Sequence, residues 1–86
     1  MLVRAAEATG AAWAEERAAT LSGQGRAIVG GFPGTLSEAR ERLMRLVAPT
    51  RAESLPRDVL QALVRVTYHT AKRLWLRHSV REKHDE

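Results

Sequence analysis

The side chains best suited to chemistry in this chain are cations. Arg57, Arg65, Lys72, Arg73, Arg77 and Arg81 fall in one stretch, where Asp58 is the single acid before Glu82. Fixed positive charge without internal partners binds polyanions by releasing their counterions. Arg65, Lys72, Arg73, Arg77 and Arg81 are therefore the candidate contacts for phosphate or an acidic partner. Arginine also serves helix propensity and solubility, the plainer explanation of such a face. One-sidedness speaks against that explanation. Residues 36–47 interleave Glu38 and Glu41 with Arg40, Arg42 and Arg45, whereas the later stretch does not alternate.

Other chemistries lack their parts. His69 and His78 are nine residues apart, on opposite sides of a helix, and cannot share a metal. His78 and Glu82 have i,i+4 spacing, but two ligands do not make a zinc site. Ser37 and Ser54 read as helix-start residues, and Ser79 beside His78 is no nucleophile–base pair by adjacency alone. Gly25 and Gly30 have the spacing of a phosphate-binding loop, yet Gly31-Phe32 stands where Lys-Ser/Thr is required. The sequence predicts no enzyme, no metal and no cofactor.

The cations need an element to carry them, and that element is one long helix over about 55–83. Ser54 is the expected N-cap, with Pro56 in the first turn. At about 100° per residue, Leu60, Leu63, Val64, Thr67, Ala71, Leu74, Trp75 and His78 form its core stripe. Such a helix is about 45 Å long, whereas a compact domain of this length is roughly 30 Å across. Its distal part is therefore expected to overhang. Trp75, Leu76 and Val80 are the expected partner interface there, although Trp75 also continues the core stripe.

Upstream, Ala-rich residues 2–21 read as helix 1, with Trp13 its one large anchor. Ala6, Gly10 and Ala14 have the spacing for close backbone approach, and Gly10 could alternatively mark a kink. Residues 22–34 form a loop holding five of the six glycines, with Ile28, Val29 and Phe32 as apolar plugs. Phe32-Pro33-Gly34-Thr35 fits a type II turn. Thr35 and Glu38 fit a capping box opening helix 2, about 36–47, whose core face is Leu36, Ala39, Leu43, Leu46 and Val47. Its charges, like Glu15, Glu16 and Arg17 of helix 1, read as solvated. Ala48-Pro49 ends the helix. The predicted core is Trp13, Phe32, Leu43, Val47, Leu60, Leu63, Val64 and Leu74. The predicted fold class is all-α: one small three-helix domain over 1–86, with a Gly-rich loop between helices 1 and 2 and a long C-terminal helix.

At 86 residues without cysteine, burial is limited and no disulfide can add to it. Oligomerisation is the remaining aid. No stretch approaches the ~20 apolar residues of a membrane span, and a cytoplasmic location is expected. The net charge of +4 favours an acidic partner, nucleic acid first. Two functions follow. The first is a non-enzymatic helical interaction module, either a homo-oligomer (a dimer) or a small subunit or adaptor, joined through the distal half of helix 3. The alternative is a nucleic-acid-binding protein using the Arg/Lys face of that helix. The connection from Ala48 to Glu53 is longer than the short turn of a helix-turn-helix, so phosphate tracking is expected rather than base reading.

Overall fold

A computed structural model describes residues 2–26, 31–46 and 54–84, with side chains described through His78. The fold is all-α: α1 (Leu2–Gly23), α2 (Leu36–Leu46) and α3 (Arg57–His84). The long pair α1 and α3 forms the body of a rod 48 × 19 × 19 Å, and α2 packs against both. The expected globule of roughly 30 Å is replaced by this rod because the two long helices lie along each other for much of their length.

Small residues permit that packing. Ala6, Gly10, Ala14 and Ala18 are buried along α1, and Leu63, Thr67, Ala71 and Trp75 along α3. A Cβ added at Gly10 would stand 2.4 Å from the Thr67 carbonyl oxygen and 3.2 Å from the Ala71 nitrogen. Gly10 is thus a site of backbone approach within a continuous helix, not a kink. The polar groups at this interface are satisfied locally. Thr9 Oγ1 donates to the Ala5 carbonyl at 2.7 Å, and the fully buried Thr67 Oγ1 to that of Leu63 at 3.0 Å.

Helix α1 ends two residues beyond the expected boundary, in a Schellman motif. Arg26 N–H donates to the Leu21 carbonyl at 2.8 Å and Gly25 N–H to that of Ser22 at 3.0 Å, with Gly25 at φ +74°. Gly25 therefore serves a helix end rather than a phosphate loop. Gly34 does not have the positive φ a type II turn demands, which corrects the expected turn at 32–35. Its missing side chain serves packing instead: a Cβ there would lie 2.4 Å from both Phe32 Cε2 and Trp13 Cζ2.

Phe32 is the plug that the loop supplies. Its ring meets Trp13 edge-on at 4.6 Å, Trp75 at 5.7 Å and Tyr68 at 6.3 Å. Every aromatic residue of the chain thus joins one cluster spanning the loop, α1 and α3. Of the other predicted core residues, Trp13, Leu43, Leu63 and Val64 are buried, and Leu60 and Leu74 are partly so. Val47, Ile28 and Val29 lie outside the described residues.

Three expectations are corrected. Leu36 and Leu46 are 50% and 63% exposed, because α2 turns Ala39 and Leu43 inward together with Glu38 and Arg42. The first backbone bond of α3 runs from Leu60 N–H to the Pro56 carbonyl, at 3.0 Å. That puts Pro56 at the cap position and Ser54 outside the helix. Four charges on α1 and α2, Glu16, Arg17, Glu38 and Arg42, are paired rather than merely solvated, as described next.

Candidate functional surface

Three helices present two charged surfaces of opposite character. On the first, between α1 and α2, charge is consumed internally. Thr35 Oγ1 caps Glu38 N–H at 3.2 Å, half of the expected capping box. The Glu38 carboxylate accepts from Trp13 Nε1 at 2.9 Å, from Arg17 Nη2, and from Arg42 Nε at 3.4 Å. Arg42 also forks onto Glu16, at 2.9 and 3.0 Å, and its guanidinium lies 5.5 Å from the Trp13 ring centroid. The hydrogen bond from Arg42, reinforced by its charge, lowers the Glu16 carboxyl below its ordinary value. The reciprocal bond from Glu16 raises Arg42. These shifts come from pairing across a helix contact, which is a structural use of the residues.

The second surface is the outer face of α3, a helix with seven Arg or Lys and two acids. Arg65, Lys72, Arg73 and Arg77 are all exposed there. From Arg65 to Arg77 is about 18 Å along the axis. At about 100° per residue, Arg65 and Lys72 lie almost in line, and Arg73 and Arg77 flank them on one side. The ion pairs among the described residues join Arg17 and Arg42 to Glu38 and Glu16, and none involves these four cations. His69 and Leu76 share the sector, Leu76 being 52% exposed. Arg81 and Val80 continue the helix, but their side chains lie outside those described.

Four of the five cations singled out from the sequence therefore stand together on one ridge. The apolar interface Trp75, Leu76 and Val80 does not survive as a unit. Trp75 is 1% exposed, covered by Phe32 and the α1 side of the fold within the same chain. Its place on the core stripe outweighs its place near the helix end, because α1 and the loop reach that far. Leu76, one residue further round, faces outward. Sequence reading missed the Glu38 hub: an acid in a first turn looks like a cap, and the buried indole it serves is 25 residues earlier.

Among the described residues, no group of three His, Asp or Glu could hold a metal ion, and no helix is long and apolar enough to cross a membrane. No protein-family model, curated protein or solved structure matches this chain.

Proposed function

We propose that this protein is a small non-enzymatic binding module whose working surface is the basic ridge of α3, and that its partner is a polyanion, nucleic-acid phosphate first. One observation carries the reading. Arg65, Lys72, Arg73 and Arg77 are exposed on one face of a rigid helix with no ion-pair partner among the described residues. The same chain pairs Arg17 and Arg42 where charge has a structural use, whereas the ridge cations come from a stretch with no acid between Asp58 and Glu82. Arg65 and Lys72 in line, with Arg73 and Arg77 beside them, make a basic band about 18 Å long that suits a phosphate backbone and offers few side chains suited to base edges. Binding without sequence preference follows. Retention on heparin and on immobilised duplex DNA, eluted by rising salt, tests this directly. Passage through both columns at low salt would refute it.

A protein partner, a second copy of the chain included, is the second reading. Leu76, half exposed between Arg73 and Arg77, is the observation that favours it. Mass in solution, compared between the wild type and Leu76→Glu, tests it: a monomeric wild type at high micromolar concentration excludes the dimer.

A further inference from the structure

A groove opens between α2 and the first turns of α3, with a volume of about 610 Å³. Its floor is apolar: Leu36 from α2, Leu55 before α3, and Leu60 and Val64 from α3. Arg40 stands on the α2 side, and Arg57 and Arg65 on the α3 side. The remaining lining residues, Ser37 and Gln61, are neutral, so no acid among the described residues lines the groove. None of the three arginines has an ion pair among the described residues. Leu36, a lining residue of this groove, is 50% exposed, apolar surface the fold itself leaves open.

We propose that this groove docks an acidic amphipathic helix from a protein partner. Charge spacing selects that occupant. Arg57 and Arg65 are eight residues apart, about 12 Å along α3, with Arg40 opposite them. One carboxylate or phosphate would leave the leucine and valine floor uncovered. A helix bearing acids seven or eight residues apart matches the separation along α3. Its apolar residues at i, i+3, i+4 and i+7 meet the leucine and valine floor. A nucleic-acid strand would supply the charges but no aliphatic side chains, and no aromatic residue lines the groove for a base to stack on. The surface is distinct from the ridge of Lys72, Arg73 and Arg77, and only Arg65 borders both.

The test uses the whole chain and a fluorescent peptide of about five helical turns, with Leu at i, i+3, i+4 and i+7 and Glu flanking them. A scrambled peptide of the same composition, a Lys-for-Glu version, duplex DNA and phosphatidylserine vesicles are the comparison probes. Saturable binding of the acidic helix alone is expected, with amide shifts at Leu36, Leu60 and Gln61. Leu36→Glu, and Arg40→Gln with Arg57→Gln, should each weaken it about tenfold or more, whereas Arg73→Gln with Arg77→Gln should change it less than about twofold. Circular dichroism checks that each variant keeps its helices. Leu36 is half exposed, and the paired arginine change supplies a second, uncharged variant should Leu36→Glu not fold. Absence of saturable peptide binding, equal binding of the scrambled peptide, or groove shifts caused by DNA or vesicles instead would overturn the proposal. The variants also separate it from the ridge function, since Arg73→Gln with Arg77→Gln acts on polyanion binding and not on the groove.

Discussion

Trp13 Nε1 donates to Glu38 Oε2 at 2.9 Å, tying the fully buried anchor of α1 to the first turn of α2. A buried indole N–H without an acceptor is costly, so Glu38→Ala should destabilise the fold by about 1–3 kcal/mol. Glu38 also meets Arg17 and Arg42, so a double-mutant cycle with Trp13→Phe is needed to isolate the pair. Urea unfolding should give a coupling of about 1 kcal/mol. A coupling near zero would mean that the indole bond contributes nothing.

Gly10 and Gly23 should respond oppositely to alanine. Helix propensity favours Ala by up to about 1 kcal/mol at either position. At Gly23 nothing lies within 4 Å of the new Cβ, so Tm should hold or rise. At Gly10 the new Cβ meets the Thr67 carbonyl oxygen, a backbone atom that cannot swing aside, and overpacking of about 1–3 kcal/mol should outweigh the gain. A stabilised Gly10→Ala would show that α1 and α3 do not approach this closely.

The Glu16–Arg42 pair predicts part of the acid response. The Arg42 hydrogen bond and charge lower the Glu16 carboxyl in the folded chain from its ordinary 4.5. Between the ordinary value and the lowered folded one the unfolded chain therefore binds more protons than the folded one. The pair's contribution is fully present above that range and is lost as pH falls through the lowered folded value. Wild type should exceed Glu16→Gln in stability at pH 7, with the difference closing on acidification, in unfolding curves taken from neutral pH downward. A difference constant over the acid range would contradict the pairing.

Burial of both tryptophans is testable by fluorescence. Trp13 and Trp75 are 0% and 1% exposed within a single chain. Emission should be blue-shifted, weakly quenched by acrylamide and independent of protein concentration. A red shift on dilution would return Trp75 to an interface between copies.

Much of this architecture is legible in the residues. The α3 stripe from Leu60 to His78 announces itself by period, because each buried position is apolar or a small threonine whose hydroxyl bonds within the helix. Gly10 and Phe32 were also readable, one from its spacing with Ala6 and Ala14, the other as the one aromatic residue of a glycine-rich loop. What hides is relational. Trp75 carries the same local signal whether α1 or a partner covers it, and only the path of the loop through Phe32 decides. Leu36 looks like a core residue until Glu38 and Arg42 are seen facing α1, which turns the helix. The ridge was legible as a lack of acids, a property of sequence alone. The groove was not, because Arg40 and Arg57 come from different helices.

Polyanion binding through the ridge is tested most directly by titrating duplex DNA at several salt concentrations. With four exposed cations engaged, log affinity should fall against log salt with a slope of about −4, alike for unrelated sequences. Replacing Arg73 and Arg77 by Gln should weaken binding uniformly and reduce that slope by about 2. A wild type that does not bind at low salt, or a double variant that keeps the full slope, would contradict the account.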